Sequence, residues 1–137
     1  MRKGTLALLI LLLVDSLGAA DDPVVLIAYP GLPKADQPSI QRLYTGRIVS
    51  VGQQSAVPVN LPAGHPVRQQ FLETILGQDE GQYTGYWLVR RYVGKGAPPQ
   101  ELRDVDEVLR YVSETPGGVA YVPASRVPAG ANVIFRR

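Results

Sequence analysis

The chain's only histidine, His65, stands between Gly64 and Pro66, with Arg68 three positions further on. Proline suits the first position of a helix, because its missing N–H has no partner there in any case. The apolar residues Val67, Phe71, Leu72, Ile75 and Leu76 fall on one helical face that Gly77 closes. A helix therefore begins at Pro66. Its open end carries unpaired N–H groups and about half a positive charge, the chemistry that attracts an anion. Gly64 permits close backbone approach. An acidic residue would suit the first turn better for stability alone, so Arg68 there points to a guanidinium offered to an oxyanion. Gly64, His65, Val67 and Arg68 form the candidate anion site, with Arg47 after Gly46 as a further source of positive potential. The competing reading is an arginine extended into solvent and a histidine that caps poorly.

Other chemistry is sparse. Asp104, Asp106 and Glu107 suggest a metal or acid–base pair, but D-x-x-E before Val108, Leu109 and Val112 is a capping box, which accounts for two of the three. Tyr83, Tyr86 and Trp87 recur at helical spacing, which favours core and its rim over a sugar cleft. Arg90-Arg91 reads as a solvated helix face. There is no cysteine, no G-x-S-x-G and no H-E-x-x-H. Nucleophile, base and orienting group are not assembled, so no enzyme, metal or cofactor is expected.

The elements that must position these residues alternate. Val24 to Tyr29 is a β-branched apolar run ended by Pro30-Gly31, a buried strand. Ile40, Leu43 and Tyr44 mark a short helix capped by Ser39 and closed by Gly46. Val57 to Leu61 is a strand whose Pro58 places it at an edge or at a strand start. Asp79 caps a helix carrying Tyr83, Trp87 and Arg90. Val119 to Val122, after Pro116-Gly117-Gly118, is a second buried strand, and Asn132 to Phe135 a last short one. Strands alternating with helices predict an α/β domain in layers.

Arg2 and Lys3, the apolar run Leu6 to Val14, and Gly18-Ala19-Ala20 form an export signal over 1–20. The run is shorter than the roughly 20 residues a membrane span needs, so cleavage, not anchoring, is expected. Residues 21–137 then make one domain with a modest core that must hold without disulfides. Net charge is +2, and Arg2 and Lys3 belong to the signal. No basic cluster interleaved with aromatics supports nucleic-acid binding.

Four features stand out in order, the segments 40–48 and 57–60, Trp87, and the segment 115–122, and together they resemble the phosphate-binding subunits of ABC transporters. Ile40-Gln41-Arg42-Leu43-Tyr44-Thr45-Gly46-Arg47-Ile48 is similar to that family's "IFLGKI" helix and turn. Val57-Pro58-Val59-Asn60 is similar to the strand leading into its anion loop. Thr115-Pro116-Gly117-Gly118-Val119-Ala120-Tyr121-Val122 is similar to "TPGAIGYV", and Trp87 matches a downstream tryptophan. The resemblance runs from about residue 24 to 123. It implies a three-layer αβα single lobe of the type II periplasmic binding fold, exported to the periplasm. The implied ligand is a small anion such as phosphate. The implied partners are an ABC transporter permease or, if the lobe has lost its ligand, a second copy or a docking protein. Where the family carries its "SGT" loop, this chain has His65, Pro66 and Val67. The hydroxyl donors are missing, and weak binding is expected.

Overall fold

The computed structural model describes residues 22–137; the expected export signal over 1–20 lies outside the described residues. Its centre is a five-stranded mixed sheet of β1 (Val24–Ala28), β4 (Val57–Asn60), β5 (Gln100–Glu101), β6 (Gly118–Pro123) and β7 (Asn132–Phe135). The strand order is β5-β4-β6-β1-β7. β1 runs antiparallel to β6, with Leu26 opposite Tyr121, and antiparallel to β7, with an irregularity between Leu26 and Ile27. β4 runs parallel to both β5 and β6. A separate hairpin pairs β2 (Ser50–Val51) with β3 (Gln54–Ser55).

Every residue of β1 is buried. Because neighbouring side chains on a strand point to opposite faces, both faces must be covered. One face meets α2 (Pro66–Phe71), whose Phe71 stacks on Tyr121 with ring centroids 4.0 Å apart. Tyr44 at the end of α1 (Gln37–Tyr44) sets its edge against Phe71 at 4.7 Å. α4 (Val105–Glu114) packs on β6 and β1 through Val105, Val108 and Val112. The α/β layered lobe expected from sequence is the observed fold. Each large apolar side chain that it buries contributes about 1.5–3 kcal/mol.

Local chemistry explains most element ends. Asp36, not Ser39, caps α1: Ser39 lies in the first turn and donates its N–H to Asp36 Oδ1 at 2.9 Å. A carboxylate is the stronger acceptor, and Pro38, two residues after it, fits a first turn. α2 continues as a π-type turn over Leu72–Leu76 and stops at Gly77, which is left-handed at φ +67°. Ile75 lies in the last turn, where carbonyls have no intrahelical partner; Gln37 and Gln41 of α1 donate to its oxygen at 3.0 and 2.9 Å. α3 (Glu80–Tyr92) opens with a complete capping box between Asp79 and Gln82. At α4 Asp104 does cap, accepting from the Glu107 N–H at 2.8 Å. The Glu107 carboxylate, however, does not reach back to Asp104: it takes Arg103, through Nε at 2.9 Å and N at 3.3 Å. Pro58 is the second residue of β4, before the first β5 pairing at Val59, so the strand-start alternative describes it.

Candidate functional site

α2 begins at Pro66, where the sequence places it, but its end is capped. Gly64 takes φ +86°. His65 is the N-cap, and its Nδ1 accepts from Val67 N at 3.1 Å. One of the amides offered to an anion is thereby used by the histidine.

Arg68 differs from the expectation of a guanidinium held out to solute. The residue is only 4% exposed. Nε and Nη2 grip the Glu80 carboxylate at 3.0 and 2.7 Å, while Nη1 donates to Glu101 at 2.9 Å and to the Leu61 carbonyl at 3.1 Å. The guanidinium also lies 5.4 Å from the centre of the Tyr83 ring. Burial alone works against its charge, but Glu80, with Tyr121 and Glu101 adding to it, keeps the Arg68 pKa above its ordinary value. Four of the five N–H groups of a guanidinium are thus committed. The carboxylates responsible lie 12 and 33 residues further along the chain, out of reach of any local reading.

The other site residues face different hollows. Gly64 borders one lined by Glu73, Asp79 and Glu80, whose charges repel an anion. Val67 borders another, beside Asp22 and Gln70. Arg47 is exposed and shares a concavity of about 330 Å³ with Arg42, Gln41, Thr45 and Gln78. The structure does not bring Arg47 and Arg68 to one place.

Sequence reading missed a buried polar cluster at the carboxyl end of β4. Asn60 is 1% exposed and binds two phenols: its Nδ2 donates to Tyr83 at 3.1 Å, and Tyr121 donates to its Oδ1 at 3.0 Å. Leu61 N donates to Tyr121 at 2.9 Å, and Tyr44 OH donates to the Val59 carbonyl at 3.0 Å. Burial raises the pKa of all three phenols. They stay neutral over the physiological range and serve as fixed hydrogen-bonding groups. The available signal was a polar residue ending an apolar strand.

The aromatic face of α3 closes onto the end of α1. Tyr83 and Trp87 donate to the Tyr44 carbonyl at 2.9 and 3.2 Å, and Tyr86 donates to Thr45 O at 2.7 Å. Arg90, expected in solvent with Arg91, instead lies half-buried, donates to Gly46 O at 3.3 Å and sits over the Tyr86 and Trp87 rings. The last carbonyls of a helix lack intrahelical partners and carry the negative end of its dipole. α3 supplies both their donors and a cation. Gly46 makes the contact possible: at φ +71° a Cβ there would lie 2.6 Å from Trp87. Among the described residues no group of three or more His, Cys, Asp and Glu side chains is placed to hold a metal.

No family model matches the sequence, and no curated protein matches it. Solved structures do. The chain superposes on an ABC-type phosphate transport receptor from Vibrio cholerae with TM-score 0.62 and 15% identity. The match covers 82% of this chain and 45% of that one. A Clostridium perfringens protein described as a phosphate ABC transporter substrate-binding protein, solved with bound phosphate, gives TM-score 0.64 at 16% identity. There 82% of this chain meets 44% of the other. The fold is that of one lobe of these proteins. The lobe spans less than half the length of the proteins it resembles. Among its described residues no helix is long and apolar enough to cross a membrane.

Proposed function

We propose that this chain is an exported, non-catalytic solute-binding lobe that takes up a small oxyanion such as phosphate in the service of ABC-type transport. Residues 1–20 act as its signal, and the periplasm is its compartment. The observation that carries this reading is the likeness of its fold to two phosphate receptors over most of its described length. Arg47 is the cation best suited to the ligand. With Arg42 it rims one polar concavity, and neither has a carboxylate within 4 Å among the described residues. Gly64, His65 and Val67 would serve through the backbone around α2, at a hollow that its own acidic residues make unfavourable. Single-lobe binding without hydroxyl donors gives millimolar affinity, about −4 kcal/mol. Isothermal titration of phosphate-stripped protein tests this. Heat with phosphate or sulfate at millimolar levels, lost on R42Q/R47Q, is expected; no heat from either anion refutes it.

A second reading has its own support. The engagement of Arg68 by Glu80 and Glu101 takes the strongest cation of the expected site out of play, as in a lobe that has given up its ligand and works by docking to another protein. Light scattering and melting distinguish the two. A ligand-indifferent chain that associates supports docking, and a monomer whose Tm rises with phosphate supports solute binding.

A further inference from the structure

The end of α3 and its C-cap, Val93, expose four large apolar side chains. Leu88 is 69% exposed, Val89 63%, Tyr92 92% and Val93 56%, and they account for four of the six large hydrophobics left exposed among the described residues. Leu88 with Tyr92, and Val89 with Val93, are i,i+4 pairs and so lie one above the other on the helix surface. The charge along this segment is basic; the one carboxylate lining the adjoining hollow, that of Glu101, is bonded to Arg68. Between Gly81 and Gln100 the only ionised side chains are Arg90, Arg91 and Lys95. Arg90 is turned inward onto Gly46 and the aromatic rings, which leaves Arg91 and Lys95 as the exposed cations beside the stripe.

This stripe runs into a hollow. Leu88 and Arg91 form one wall of a mainly apolar concavity of about 250 Å³, and Pro98-Pro99 forms another. Prolines fix the backbone and offer no N–H, so that wall is stiff and donates nothing. An apolar helix face with a neighbouring pocket and a basic border has the anatomy of a peptide-docking groove.

We propose that α3 and the Pro98-Pro99 loop dock a polypeptide segment of a partner protein that carries apolar anchor residues flanked by Asp and Glu. The proposal rests on the docking reading above and specifies its surface and its partner. Charge decides between occupants. A second copy meeting this face across a two-fold axis would set Arg91 and Lys95 against their own counterparts, whereas acidic flanks complement both. A flat anionic bilayer would leave the hollow between Leu88 and Pro98 unfilled; an inserted side chain fills it.

The test is a selection of the purified chain against a displayed library of random 16-residue peptides, followed by fluorescence anisotropy with the enriched sequences. Enrichment of Leu, Phe or Trp together with Asp or Glu is expected, with binding weakened at least tenfold by L88S/Y92S and by R91E/K95E. Lys-for-Glu versions of those peptides should regain affinity for R91E/K95E. The substituted side chains are exposed, so both variants should melt with the parent. If one does not, the other alone decides. Failure to enrich, enrichment without acidic residues, or equal binding to every folded variant overturns the proposal. Binding to phosphatidylglycerol vesicles through these same residues, with no acidic peptide bound, overturns it in favour of a lipid surface. A dimer that L88S/Y92S dissociates also overturns it, but leaves the docking reading standing. The phosphate titration is independent of all these outcomes.

Discussion

Replacing Arg68 by methionine separates a structural arginine from a ligand-binding one. Methionine keeps the aliphatic stem and removes four hydrogen bonds from the guanidinium, three of them to carboxylates. The buried Leu61 carbonyl loses its donor, which costs about 1–3 kcal/mol. Removing one member of a fully buried ion pair costs about 3–5 kcal/mol, because the other charge is stranded. Here the stranded groups have water to turn to: the Glu80 side chain is 37% exposed and that of Glu101 52%. The penalty is correspondingly smaller. The expected loss is about 2–4 kcal/mol, read from urea denaturation as a lower midpoint at unchanged slope. E80Q should cost less than R68M, and the double variant should fall short of the sum of the two, since both remove the same contact. Phosphate titration of the folded R68M should match the parent. A loss below about 1 kcal/mol combined with abolished phosphate binding would refute this account and restore Arg68 as a ligand group.

Two further outcomes follow from the packing. G46A forces a Cβ to 2.6 Å from Trp87 at a left-handed position; a destabilisation of about 2 kcal/mol and a shifted tryptophan emission are expected, and a parent-like melt would count against the close packing of α3 on the end of α1. Tyr44, Tyr83 and Tyr121 hold their protons to higher pH in the fold than in the unfolded chain, through burial. Stability is therefore full below about pH 10 and falls as pH rises above it, because the unfolded phenols ionise first. Tyrosinate absorbance should appear for these three together with the loss of circular dichroism, and ionisation that precedes unfolding would contradict their burial.

The sequence was most legible where structure is decided within a few residues. Pro66 and Gly77 bound a helical segment, and Asp79 opens α3, because caps and left-handed glycines act over one turn. The buried runs of β1 and β6 declared themselves through unbroken apolar residues. β2, β3 and β5 escaped because two residues cannot display a period. The sheet order was hidden for a different reason: β4 and β6 are neighbours by a pairing that spans some sixty positions, and no local pattern encodes it. The site suffered most from this. Arg68 has the same neighbours in sequence whether it faces solvent or Glu80, and only the approach of α3 and β5 decides.

The same long-range contacts show how the lobe deploys its positive charge. Arg68 neutralises two carboxylates beside the Asn60 cluster, and Arg90 serves the carbonyl end of α1. Arg103 is held by Glu107 and Arg126 by Asp106. A guanidinium already bonded to a carboxylate offers a solute little, because an incoming anion must displace a charge that is permanently present at high local concentration. Recognition of anything negative therefore falls to arginines without such partners among the described residues, among them Arg42 and Arg47 at the end of α1 and Arg91 on α3. The first pair borders a polar hollow and the last an apolar one. Polar walls suit a small hydrated oxyanion and apolar walls suit a side-chain anchor. Neutralising Arg42 and Arg47 and neutralising Arg91 should thus abolish different things, and the effect that changes the protein's work in the cell identifies which surface that work uses.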